Sequence, residues 1–397
     1  MLRLKGTTYP NTATFLQSAI RIAEYYGFTP LEEAPRRNAA DARQMRKKSE
    51  RNEVEISFAR KEERALIIAA KRCASLLRGM NESFLLWRTA SETKGSTPSI
   101  SLELHIVGTQ SAIAEALLIV VANSIAEEAK LGERILSINN IGSNESSGRF
   151  MRDVGGFLRK HMESISPSLR PRASIDPLGT LIQLIERGHP AIPRAPQAME
   201  YLSEEERRKF WDLLEYLEVF GIAYELSPHV LGSRDCWGHS LFQISVIDPE
   251  GGSRVPFAFG GRYDPLASRF AASPTPAATI SITCEIRGKT RPKREILGIP
   301  SIYFAHLGLE ARRRSLRVLE NLRAANIPVY HGLCHERIGD QMATARQHAT
   351  PYILIMGHKE AIEGTILVRE VATNSQDAIP LPELPNYLKR KRLSSIA

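Results

Sequence analysis

The sequence predicts an α+β protein in two units. Residues 1–297 read as a mixed, mainly antiparallel sheet flanked by helices, and residues 298–397 as a smaller α/β unit. Three observations carry this. Strand-type runs crowd together at Tyr224–Leu226, Ser240–Ile247, Pro256–Phe259 and 278–286, as strands do when they pair with sequence neighbours. Beyond 297 the pattern changes to strand, helix, strand, helix, strand, which predicts an α/β layer with a largely parallel sheet. The chain has 397 residues, more than one hydrophobic core usually holds.

Each element follows from local pattern. Thr12–Gly27 reads as a helix, with Phe15, Ala19, Ile22 and Ala23 on one face and Gly27 as its stop. Arg36–Glu55 is charged and poor in large apolar residues, a solvated stretch whose Arg46-Lys47-Lys48 fits a solvated face better than a phosphate contact. A helix is expected over 64–78, strands over Phe84–Arg88 and Ile100–Val107, a long helix over 111–131, a strand over Ile135–Ile141 and a helix over Arg149–Met162. Pro167–Pro190 is punctuated by Pro and Gly. Ser203, followed by Glu206, opens a helix to Phe220 with a capping-box pattern. Gly260-Gly261 is expected to break the strand that starts at Pro256. In the second unit, strands are expected at Ser301–Ala305, Pro328–Tyr330, Tyr352–Met356 and Ile366–Arg369, and helices at Leu309–Asn326, Ile338–His348 and Leu381–Lys389.

Composition excludes several classes. With 43% hydrophobic and 24% charged residues the chain is not disordered throughout. Its longest clean apolar run, Ala116–Ala122, is far short of the ~20 residues of a membrane span. Four cysteines are no disulfide framework, which favours a reducing, cytoplasmic setting. The 53 Lys+Arg against 44 Asp+Glu leave +9, which favours a polyanionic partner. His331, Cys334 and His335 lack an evident fourth ligand, so no metal is expected.

The segment Phe259-Gly260-Gly261-Arg262-Tyr263-Asp264 is the most informative. Paired glycines let a backbone approach a ligand, and an adjacent arginine can hold an anion. It resembles the signature of histidyl-tRNA synthetases, a class II family. Other segments resemble that family in the same order: Lys5-Gly6-Thr7, Tyr26-Gly27-Phe28 with Pro35, Trp87-Arg88 then Lys94-Gly95, Ser137–Gly142, Asp176-Pro177-Leu178 and Gly221–Tyr224. Leu307-Gly308, Gly339-Asp340-Gln341, Ile353–Gly357 and Gly364-Thr365-Ile366 look like its anticodon-binding domain. The resemblance implies a class II core that binds histidine and ATP with Mg and dimerises, and a C-terminal domain that binds tRNA. It makes Arg88 an ATP-phosphate ligand. Glu62, Gly260, Gly261 and Tyr263 become substrate contacts and Arg262 a further catalytic candidate, unless the glycine-rich string is a structural turn. Arg312, Arg313, Lys389 and Arg390 are the candidate tRNA contacts.

The same comparison exposes departures. Ala90 replaces the acid expected two residues after Arg88. Thr283-Cys284-Glu285-Ile286 matches the third motif with Ile286 at its arginine. Gly232-Ser233-Arg234-Asp235-Cys236-Trp237 matches the histidine-specific string, with Gly232 at the catalytic arginine and Cys236 and Trp237 at the tyrosines. Ser101 and His105 replace the glutamine and glutamate that hold the amino acid. Losing one positioned donor costs roughly 10²–10³ in rate, and losing two costs roughly 10⁴ or more if they act independently. The reading is therefore a synthetase-like protein with a degenerate site and a tRNA-binding or regulatory role, without ATP if the nucleotide site is gone. Two alternatives stand beside it. One is an active histidine–tRNA ligase in which Arg234 or Arg287 substitutes. The other is a regulatory subunit of ATP phosphoribosyltransferase, which the well-kept C-terminal domain disfavours.

Overall fold

Asn11 caps α1 (Thr12–Tyr25) by accepting the Thr14 amide at 3.0 Å, and Gly27, at φ +80°, turns the chain into the short edge strand β1 (Thr29–Pro30). The computed structural model describes residues 9–33, 61–76, 83–92, 97–248, 251–271, 273–293 and 298–391, except the side chains of 61, 62, 74–76 and 92. Lys5-Gly6-Thr7, Pro35, Arg46–Lys48 and Lys94-Gly95 lie outside the described residues, as does the Glu62 side chain.

The first unit continues with α2 (Lys61–Leu76), β2 (Phe84–Glu92), β3 (Ser99–Val107), α3 (Ile113–Glu128) and β4 (Arg134–Asn140). The helix expected at 149–162 starts earlier, as α4 (Asn144–Lys160). The proline-punctuated stretch after it is largely helical, with α5 (Arg170–Ile175) and α6 (Pro177–Glu186). Pro171 and Pro177 sit in first turns, where an N–H has no intrahelical partner, so they start helices here rather than stop them. Asp176 caps the second by accepting from the Gly179 amide at 2.9 Å. Helix α7 (Glu204–Phe220) carries the expected capping box and ends on left-handed Gly221. Strands β5 (Tyr224–Leu226), β6 (Gly238–Ile247) and β7 (Arg254–Arg262), helix α8 (Asp264–Ala271) and β8 (Ala277–Glu285) complete the unit.

These strands form one eight-stranded sheet in the order β1-β2-β3-β8-β7-β6-β4-β5. β1 with β2 and β4 with β5 are parallel; the other neighbours are antiparallel. Gly260-Gly261 does not end β7, because the pair serves crowding rather than chain reversal. A Cβ on Gly260 would lie 2.3 Å from the Thr279 carbonyl oxygen, and one on Gly261 2.4 Å from that of Ser240. Alternation gives the sheet two faces. On the back, Leu102, Leu104, Ile280 and Ile282 join the core with α1 and the almost wholly buried α3. On the front, α2 and α8 close over one end through Leu66, Cys73, Leu86 and Leu266.

The second unit is β9 (Ile302–His306), α9 (Leu309–Ala324), β10 (Tyr330–His331), α10 (Ile338–Gln347), β11 (Tyr352–Met356), α11 (His358–Glu363), β12 (Thr365–Glu370), β13 (Gln376–Pro380) and α12 (Leu384–Arg390). Its sheet runs β10-β9-β11-β12-β13. Only β10–β9 and β9–β11 are parallel; β11–β12 and β12–β13 are antiparallel, which corrects the expectation of a largely parallel sheet. The links around β12 are too short for the dozen or more residues a parallel crossover needs.

Glu206 ties α7 to the start of α4. It accepts from the amides of Ser143 and Ser203 and from the Ser146 hydroxyl at 2.6–2.7 Å. Burial alone would raise its carboxyl, but these donors outweigh it and bring it down to about 2. A depressed carboxyl stabilises the fold above its unfolded pKa and loses that contribution as pH falls towards the folded one. Glu206→Ala should therefore lower stability by about 1–3 kcal/mol at neutral pH. In urea denaturation the gap from wild type should close as the pH drops from about 4.5 towards 2.

Candidate functional site

The front face is built in cross-strand rows. One row runs Arg88, Glu103, Ser281, Phe259, Gln243 and Ser137 across six strands. Beside it lies Ala90, Ser101, Thr283, in which the Ser101 and Thr283 hydroxyls meet at 2.8 Å. Arg88 is buried. Its Nε donates to Glu103 Oε2 at 2.7 Å, and its Nη2 to Glu103 Oε1 at 3.1 Å and to the Ala65 carbonyl at 3.0 Å. Burial would raise the Glu103 carboxyl, but hydrogen bonds from His105 and Arg88 hold it below the usual range. The ATP-phosphate role expected of Arg88 thus meets a guanidinium already closed by a carboxylate. The only other arginine that the strands carry on this face, Arg254, faces Glu225 at 2.6 Å. Among the described residues, these strands offer a triphosphate no free cation.

The residues expected at the amino-acid pocket pack against one another. His105 is fully buried, its Nε2 3.5 Å from Glu103 and its Nδ1 3.4 Å from the Tyr263 hydroxyl. Tyr263 is itself fully buried and crosses the His105 ring edge-on at 5.9 Å. Cys73 lies in this cluster, and burial pushes its thiol up to about 12, so it is no nucleophile at neutral pH. Trp237 stands edge-on to Phe259 and donates its indole N–H to Glu63 at 3.2 Å. Glu63 also accepts the Ser233 amide at 2.8 Å, so one buried carboxylate of α2 fixes the 232–237 loop. Gly232 is required by this arrangement, since a Cβ there would lie 2.4 Å from the Trp237 ring. Cys236 is buried within the same packing.

The glycine-rich string splits between the two faces. Tyr263 enters the front cluster, whereas Arg262 points to the back. There it donates to Glu115 at 2.8 Å, to Asp264 at 3.2 Å and to the Thr109 carbonyl at 2.8 Å. Burial works against its charge, but Glu115 and Asp264 more than offset that and hold it above its usual range. Arg262 thereby joins α3 to the sheet rather than facing the front rows. Ile286 packs against the back core beside α1. The exposed Arg287 is pinned through its backbone to Thr12, and Arg234 is half-buried in the 232–237 loop.

Two candidate tRNA contacts lie at the junction of the units instead. Arg312 donates to the Tyr216 hydroxyl and the Ser111 hydroxyl, each at 3.0 Å. Arg313 meets Asp212, Glu215 and Glu310. Both side chains are only 12% exposed. They lie on the α9 face that packs on α7, so their charge serves that contact. Lys389 and Arg390 are exposed at the end of α12. Sequence reasoning missed Glu63, Glu103 and Glu115 as partners. The signal for Glu103 was available, because alternation on β3 places it on the same face as Ser101 and His105.

A family model for the anticodon binding domain matches residues 305–391. The chain is 27% identical over 296 residues to the histidine–tRNA ligase of Thermosynechococcus vestitus, covering 73% of this chain and 68% of that one. It is 24% identical over 355 residues to the histidine–tRNA ligase of a Cyanothece species, covering 84% and 82%. An apo histidyl-tRNA synthetase structure from S. aureus aligns over 95% of both chains with 16% identity and a TM-score of 0.49.

Two substitutions test this geometry. Arg88→Met leaves Glu103 buried without its counter-charge and should cost about 3–5 kcal/mol in urea denaturation, most of it recovered when Glu103→Leu is added. Gly232→Ala should displace Trp237, shift its fluorescence and cost about 1–3 kcal/mol.

Proposed function

We propose that this chain, which belongs to the histidyl-tRNA synthetase family, binds tRNA through its C-terminal unit and holds a synthetase pocket that no longer activates histidine. The observation that carries the reading is the Arg88–Glu103 pair. Activation needs cationic donors aimed at charge developing on phosphoryl oxygens, and the arginine aligned with that task is held bidentately by a carboxylate. His105 and Trp237 support it from the amino-acid side, by filling the space where the imidazole is bound in the family. On this reading residues 1–297 form the synthetase-like core and 298–397 the tRNA-binding domain, in a homodimer with a regulatory or RNA-sensing role in the cytoplasm.

The tRNA part of the proposal rests on the anticodon-binding match. With Arg312 and Arg313 engaged at the junction, the phosphate contacts pass to exposed bases such as Lys389 and Arg390. A second reading, an active histidine–tRNA ligase, is favoured by the relatives, which carry that name over more than two thirds of their length. It requires Glu103 to release Arg88, or another cation to enter the front face.

ATP–pyrophosphate exchange on purified protein separates the two. The expected result is no histidine-dependent exchange above blank from folded protein that still retains tRNA on a filter. Exchange that depends on histidine establishes the second reading. Replacing Lys389 and Arg390 together by Ala should weaken tRNA binding and reduce its salt dependence by about one to two counterions.

A further inference from the structure

A cleft of about 730 Å³ opens where the end of α1, β1 and the start of β2 meet β9 and β10. No residue of the front-face rows lines it. We propose that this cleft is a second binding site, for a planar heteroaromatic molecule without phosphates, such as a free nucleobase.

Its size falls among small-molecule sites, roughly 300–1,000 Å³. Its described walls carry five carbocyclic rings, those of Tyr25, Phe28, Phe84, Tyr303 and Tyr330, together with three imidazoles. Among the described residues that line it, Glu24 is the one carboxylate and there is no lysine or arginine. A phosphorylated ligand would enter without a counter-charge and beside an acid, whereas a flat neutral ring finds π-faces. The walls already hold one such arrangement: the His348 imidazole lies on the Tyr330 ring at 3.9 Å and 17°. His331 is held by the Tyr26 carbonyl at 3.0 Å, and burial lowers its pKa to about 4, so it adds no positive charge at neutral pH. Tyr303 lends the cleft its ring, whereas its hydroxyl is buried beside Gly332 and Gln341, outside the cleft's lining. The proposal is independent of whether the front face activates histidine.

Calorimetric titration of the full chain with adenine, then with AMP and ATP, tests it. Adenine should bind, with both nucleotides about tenfold weaker or worse. Tyr330→Ala should weaken adenine about tenfold or more. Thermal melts confirm that the variant is folded. Three results overturn the proposal: no binding of adenine or of indole at millimolar concentration, nucleotides binding more tightly than the base, or adenine binding unchanged in Tyr330→Ala. A fourth is a cleft closed by a second copy of the chain, seen as absent adenine binding with a dimer that Tyr330→Ala dissociates in light scattering.

Discussion

A guanidinium withdrawn from water needs its counter-charge close by, and much of this structure is arranged around that requirement. Arg262 fixes the start of α3 to the sheet only because Glu115 and Asp264 accompany it. Arg88 lies under α2 only because Glu103 stands opposite on β3. The junction of the two units repeats the pattern. There Arg313 meets acids of α7, and Arg323 meets Glu320 on its own helix and Glu128 of α3. Removing one member of such a pair leaves a charge where burial makes it costly.

This requirement also bears on function. An arginine retained in sequence is available to a phosphate only if nothing nearer neutralises it. On the front face, Arg88 is closed by the Glu103 carboxylate, two residues from the buried His105. The packing beside it is coupled. Trp237 fills space, Gly232 yields the room for its ring, and Glu63 anchors both the ring and the loop. Each of these three residues depends on the other two for its place.

The arginines of α9 illustrate the same competition at larger scale. A basic run on a helix is open to RNA only on the face that neighbouring elements leave bare. Here Arg312 and Arg313 lie on the packed face, whereas the basic end of α12 stays exposed.

The sequence by itself determined the periodicities and their stops. The capping box of α7, the alternation of β3 and the crowded strands of the first unit were all legible, because each depends on residues within a few positions of one another. The segment after α4 yielded no element from sequence because proline both breaks helices and starts them, and only the capping geometry at Asp176 separates the two. Gly260-Gly261 was misread as a strand end because the crowding it relieves comes from Thr279 and Ser240, on neighbouring strands. Tertiary structure alone decided which charges meet. Glu103 reaches Arg88, and Glu115 reaches Arg262, across 15 and 147 residues of chain. At such separations a charge partner is set by strand register and helix packing, not by the local pattern of either residue.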